Sequence, residues 1–273
     1  MSRLSQIAAS AAAAHRKLLM PYLVAGDPDL ECTLRLMHKL VEHGADIIEL
    51  GIPFSDPSSD GPVIQEGVER ALASGTTLRQ VLDLVVRFRE QDKNTPLVLM
   101  GYLNPIEIMG YAIFAEAAAA ADVDGVLVVD MPTTECGELN QLLRARAIDT
   151  IYLIAPTTRP ERAKRITAQT SGYLYYVSLK GVTGAALTDH ASVRENIQHL
   201  RTLTDLPIVI GFGIKDAESA RAMGALADGV IIGSALVSAI KLLSGKSSIT
   251  TAELEATVAV ISAARAALDS DPN

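Results

Sequence analysis

A short apolar run, a loop and a helix-like stretch recur about eight times along the 273-residue chain. The apolar runs are Leu19–Leu23, Ile47–Leu50, Leu97–Met100, Gly125–Val129, Thr150–Ile154, Tyr173–Val177, Ile208–Ile210 and Gly229–Ile232. They are rich in branched side chains, and most run into Gly, Pro, Asp or Ser, so they read as strands entering loops. Between them, apolar residues fall at helical spacing. Leu30–His43 places Leu34, Met37, Leu40 and Val41 on one face, and Leu78–Phe88 does so with Leu78, Val81, Leu82, Val85 and Val86. Ala112–Ala121, Glu135–Arg146, Arg159–Thr170, Val193–Leu203, Asp216–Met223 and Ser234–Leu243 continue the series, and Thr251–Leu268 closes it. This alternation predicts an α/β fold, a single (β/α)8 TIM barrel over residues 1–273. The rival is an open doubly wound sheet. The first strand, however, ends in Ala25-Gly26-Asp27-Pro28, without the GxGxxG fingerprint of that fold.

Composition narrows the class. Hydrophobic residues make up 49% and aromatics only 4%, as suits buried parallel strands under helices. A net charge of −8 argues against general nucleic-acid binding, but local backbone N–H groups can still hold a small phosphate. Cys32 and Cys136 form no CxxC pair and read as free thiols in a reducing cytoplasm. The histidines, His15, His38, His43, His190 and His199, make no ligand set and are expected to be solvated, so no metal is predicted. No apolar run reaches the roughly 18–20 residues that span a bilayer. Residues 1–17 are rich in Ala and Ser and carry Arg3, Arg16 and Lys17, a composition shared with transit peptides. The helix propensity of Ala favours an extra N-terminal helix leading into the first strand.

In such a barrel, chemistry belongs at the C-terminal ends of the strands. Glu49 lies inside the second apolar strand, on the same face as Ile47. A carboxylate there either pairs with a distant cation or keeps a raised pKa and works as an acid or base. Asp60 ends the long loop from Gly51 to Pro62, where it is either a turn residue or a second working carboxylate. Little in the sequence pins the segment from Pro53 to Asp60. Glycines follow the last three strands, in Gly181-Val182-Thr183-Gly184, Gly211-Phe212-Gly213-Ile214 and Gly233-Ser234. Loops after the seventh and eighth strands commonly hold a phosphate, aided by a helix N-terminus.

Together these motifs resemble the tryptophan synthase alpha subunit. The likeness rests on Glu49-Leu-Gly-Ile-Pro-Phe-Ser-Asp-Pro, Asp60-Gly-Pro and the three glycine motifs. It extends to Gly26-Asp27-Pro28, Tyr102, Asn104, Asp130, Pro132 and Tyr175. The resemblance implies a lyase that splits indole-3-glycerol phosphate into indole and glyceraldehyde 3-phosphate by retro-aldol cleavage. It implies Glu49 as proton carrier, Asp60 as partner of the indole N–H, and Tyr175, Thr183, Tyr102 and Asp130 at the substrate. Gly184, Gly213, Gly233 and Ser234 match the phosphate cradle, and Pro53, Asp56, Asn104 and Pro132 the face that meets a beta subunit. The implied assembly is a cytoplasmic alpha2-beta2 heterotetramer in which pyridoxal phosphate belongs to the beta subunit and this chain carries no cofactor. Leu179 stands where well-known bacterial members carry Arg. Rival readings are a Schiff-base aldolase using Lys180, a catalytically silent activator of a beta subunit, and a stand-alone indole-releasing lyase.

Overall fold

The structure, a computed structural model, describes residues 2–177, 190–211 and 213–270. Among them, eight parallel strands close into one barrel, each paired with the next and the last with the first. The strands are β1 (Leu18–Val24), β2 (Ile48–Gly51), β3 (Leu97–Gly101), β4 (Gly125–Val128), β5 (Asp149–Ile154), β6 (Leu174–Val177), β7 (Ile208–Gly211) and β8 (Gly229–Ile232). The helices are α1 (Arg3–Ala13), α2 (Leu30–Glu42), α3 (Pro62–Ala73), α4 (Leu78–Gln91), α5 (Leu103–Met109), α6 (Tyr111–Ala120), α7 (Gly137–Arg144), α8 (Pro160–Gln169), α9 (His190–Arg201), α10 (Ala217–Gly224), α11 (Ser234–Ile240) and α12 (Thr251–Asp269).

Strand alternation produces two cores. Met20, Tyr22, Val24, Ile47, Val98, Leu127, Ile151, Tyr173, Tyr175, Val209 and Ile231 fill the barrel. Leu19, Leu23, Ile48, Leu50, Leu97, Leu99, Leu174, Tyr176, Ile208, Ile210, Val230 and Ile232 pack outward under the helices. Both faces are therefore dry, which is why the strands read as nearly continuous apolar runs.

The strand starts carry a repeated polar device. Asp46, Asp124 and Asp228 each stand just before a strand and accept a backbone N–H at the start of the preceding one, from Leu19, Leu97 and Ile208, each at 2.8 Å. This end is plugged by α1, whose Leu4, Ala8 and Ala11 join the inner core. Ser2 Oγ donates to Asp149 Oδ2 at 2.6 Å, and Arg3 pairs with Asp122 and Asp124. The N-terminal segment thus behaves as the expected helix.

Sequence periodicity misses two helices, α3 and α5. The former follows the long loop at once, with Pro62 in its first turn and Gly67 in its middle. The latter is only seven residues long. The stretch expected over Ser234–Leu243 ends in a 3-10 turn at Lys241–Leu243. The histidines also need correction. His38 stacks on Phe88 with ring centroids 5.0 Å apart, and burial lowers its pKa. His43 bridges Glu255 and Ser262 at 2.7 and 2.6 Å.

Candidate functional site

At the C-terminal end of the strands lies a cavity of about 520 Å3. Its walls include Tyr22, Asp60, Ile64, Met100, Leu153, Tyr175, Gly213, Ile231, Gly233 and Ser234. The cavity therefore brings together Asp60, Tyr175, Gly213, Gly233 and Ser234 from separate stretches of the sequence, whereas Glu49 is not among its lining residues. A larger groove of about 880 Å3 opens at the opposite end, between α1, the start of β1 and the end of α12. It carries none of Asp60, Tyr175, Gly213, Gly233 and Ser234, which line the smaller chamber.

Glu49 lies inside the barrel and is fully buried. Its described partner is not a cation. The Tyr173 hydroxyl donates to Oε1, while Oε2 is buried with no hydrogen-bond partner among the described residues. Burial raises the carboxyl to about 7, and the Tyr173 bond offsets part of the rise. A carboxyl near neutrality can both give and take a proton under mild conditions. The barrel itself causes this, because a carboxylate in an apolar interior loses hydration that one hydrogen bond does not replace.

Asp60 stands at the cavity wall just before α3. Burial raises its pKa, and a hydrogen bond from Tyr102 opposes the rise. The Tyr102 hydroxyl donates to Asp60 Oδ2 at 3.1 Å and accepts the Ser59 N–H at 3.0 Å. The Gln65 side chain donates to the Asp60 carbonyl at 2.8 Å. These bonds correct the expectation that the loop has little to pin it. Tyr22 and Tyr175 join the two carboxylates electrostatically. Burial pushes both phenols well above the usual tyrosine range, and the charges of Glu49 and Asp60 push each further.

The other expected residues divide. Tyr175, Gly213, Gly233 and Ser234 line the cavity. Gly213 has φ +77°, a conformation that suits glycine. Tyr102 stands behind Asp60. Asp130 is not among the lining residues; it is exposed and accepts the Leu103 N–H at 2.8 Å, which makes it a cap for α5. Asp56, Asn104 and Pro132 are exposed, whereas Pro53 is buried and presents little surface. Thr183, Gly184, Leu179 and Lys180 lie outside the described residues. Sequence reasoning missed Tyr22, Tyr173 and Lys215. The signal for the two tyrosines was available: each alternates with inward apolar residues, as Glu49 does. Lys215, exposed at the rim, had no such signal. Among the described residues no group of His, Cys, Asp or Glu is placed to hold a metal ion, and no helix is long and apolar enough to cross a membrane.

A family model described as tryptophan synthase alpha chain matches residues 8–265. The chain belongs to the tryptophan synthase alpha chain family. The family's members are lyases that cleave indole-3-glycerol phosphate. The chain is 56% identical over 240 residues to the alpha chain of Thioalkalivibrio sulfidiphilus, covering 88% of this chain and 90% of the relative. It is 52% identical over 269 residues to that of Burkholderia thailandensis, covering 98% and 97%. Among solved structures it resembles the alpha subunit from Legionella pneumophila with a TM-score of 0.89 at 40% identity, over 99% of this chain and 100% of that one. A tryptophan synthase structure from M. tuberculosis, in its aminoacrylate-bound form, gives 0.86 at 30% identity, over 98% and 100%. Membership implies a beta-chain partner for this chain.

Proposed function

We propose that this chain performs the alpha reaction with Glu49 as its proton carrier and Asp60 as its electrostatic partner. The bond from indole C3 to the glycerol chain is strong while the ring is aromatic. Protonation at C3 breaks the aromaticity and leaves positive charge on the ring nitrogen. Protonated Glu49 supplies that proton, and Asp60 accepts the indole N–H as the charge develops. Glu49, now ionised, takes the proton from the hydroxyl on the side-chain carbon attached to C3. The C–C bond breaks, its electrons restore indole, and the former alcohol carbon becomes the aldehyde of glyceraldehyde 3-phosphate. The proton given to C3 is recovered from the hydroxyl, so the enzyme returns to its starting state.

The observation that carries this reading is the state of Glu49: buried in the barrel, hydrogen-bonded on one oxygen alone among the described residues, with its pKa raised to about 7. Gly213, Gly233 and Ser234 are proposed to take the phosphate by close backbone approach, together with Gly184. Tyr175 and Thr183 are assigned to the substrate, and Tyr102 to holding Asp60. No cofactor is assigned to this chain. The exposed residues Asp56, Asn104 and Pro132 are proposed to meet a beta subunit, within a cytoplasmic alpha2-beta2 assembly. The 80% exposure of Ile108 on α5 supports a contact there. Glu49→Gln preserves shape and the bond from Tyr173 but cannot titrate. Its activity in releasing glyceraldehyde 3-phosphate should fall by at least ~10²-fold, the scale of general acid–base catalysis. Near-full activity in the folded variant would refute the assignment.

A further inference from the structure

The buried ion pair between Asp27 and Arg70 belongs neither to the cavity wall nor to the barrel floor. Asp27 lies in the Gly26-Asp27-Pro28 turn after β1 and is fully buried. Arg70 stands on the last turn of α3. Its Nε donates to Asp27 Oδ1 at 2.7 Å and its Nη2 to Oδ2 at 2.8 Å. Two parallel bonds between planar groups fix direction as well as distance. The turn is itself anchored. Gly26 N–H donates to Thr33 Oγ1 at 3.0 Å, and Ser74 Oγ, just past the end of α3, donates to the Gly26 carbonyl at 3.1 Å. Such a pair adds little net stability, because desolvation cancels most of the attraction. What it supplies is register.

The element held in register is α3. The helix begins at Pro62, directly after Asp60 and Gly61, and its Gln65 holds the Asp60 carbonyl. Midway along, Gly67 lets α3 lie against both the ion pair and α11. A Cβ at Gly67 would stand 2.8 Å from Val237 Cγ1 and 3.0 Å from Asp27 Oδ2. Val237 belongs to α11, whose first residue, Ser234, is also a wall residue of the cavity. A slide of α3 would therefore move Asp60 relative to the Ser234 end of the chamber.

We propose that Asp27 and Arg70 are positioning residues for the lyase reaction, setting the axial register of α3 and so the placement of Asp60 against the phosphate end of the cavity. Neither residue touches substrate, and the idea rests on the role given to Asp60 above. Two variants disturb the register by unrelated means. Arg70→Lys keeps the charge and loses the fork. Gly67→Ala keeps both side chains of the pair and crowds α3 against Val237 and Asp27. Each is measured by kcat, KM and thermal unfolding, with assays well below the unfolding midpoint. The expected result is a kcat lower by about tenfold or more, with KM changed by less than about threefold, in variants that still unfold cooperatively. A purely structural pair would instead lower the midpoint and leave kcat at the parental level. Parental kcat in either folded variant, with Asp60→Asn impaired alongside, overturns the positioning role. If Arg70→Lys does not fold, Gly67→Ala decides alone. Parental kcat in Asp60→Asn overturns the reading of Asp60 on which the pair depends.

Discussion

A carboxyl inside a barrel either finds a cation or gives up its charge, and Glu49 follows the second course. The consequence extends beyond catalysis. In the unfolded chain its pKa returns to the ordinary 4.5, whereas in the fold it is raised to about 7. Between these values the folded state binds more protons than the unfolded state. Stability supplied by this group is therefore full below about pH 4.5 and is lost as pH rises through about 7. A shift of that size is on the order of 3 kcal/mol by pH 8. Gln at this position keeps the hydrogen bond from Tyr173 without the titration. Glu49→Gln should therefore match the parent at pH 4 and exceed it by up to about 3 kcal/mol at pH 8. Urea unfolding at the two values measures the gap. A gap that does not widen with pH would mean that Glu49 is ionised in the fold without penalty. The residue that matters most to the reaction is thus predicted to weaken the fold near neutral pH.

At the scale of elements, the loop between β2 and α3 carries the chemistry that periodicity could not place. Asp60 is held from outside the loop, by a phenol that follows β3. Tyr102→Phe removes the hydrogen bonds to Asp60 and to Ser59 N–H while keeping the ring contact with Phe54 at 5.6 Å. Losing roughly 1 kcal/mol of positioning should lower kcat about fivefold. Unchanged kcat would show that Asp60 needs no help from Tyr102. The strands were legible to within a residue or two, because burial on both faces writes them as apolar runs. Glu49 stood out because it broke such a run. The two missed helices have local causes. Gly67 interrupts the pattern of α3 to admit Val237, a contact from a distant part of the chain. The short α5 begins on Leu103-Asn104-Pro105, which reads locally as a turn. Asp130 looked like a site residue because it follows a strand, yet its carboxylate caps α5. Sequence position gave the end of the barrel but not the direction of that side chain.

At the scale of the molecule, the barrel is closed at one end and open at the other. At the closed end, α1 is pinned by Ser2 and Arg3, and Leu4 is packed into the inner core. The open end bears the cavity, the Asp60 loop and the exposed Asp56, Asn104 and Pro132. Ser55, Asp56, Ser58 and Ser59 are all exposed, so the loop meets water along most of its length and is held mainly at Asp60 and Ser59. With its carboxylate held, among the described residues, by the one bond from Tyr102, Asp60 is expected to populate the placement that the indole N–H requires incompletely. A partner that binds the ordered form more tightly shifts that population, by no more than its differential affinity for the two forms. Docking at this mouth would also exclude water from the chamber and strengthen its electrostatics. The free chain should therefore be a poor enzyme. Adding a cognate beta chain should raise the release of glyceraldehyde 3-phosphate by about tenfold or more, equivalent to roughly 1.4 kcal/mol of barrier. The check is a titration of beta chain against a fixed amount of this chain, read as glyceraldehyde 3-phosphate so that indole consumed by the partner does not distort the result. Saturation at a fixed ratio of the chains would tie the activation to a defined complex. A flat response, with high activity already present in the free chain, would instead make this protein a self-sufficient indole-releasing lyase whose Asp60 loop is ordered by the substrate alone.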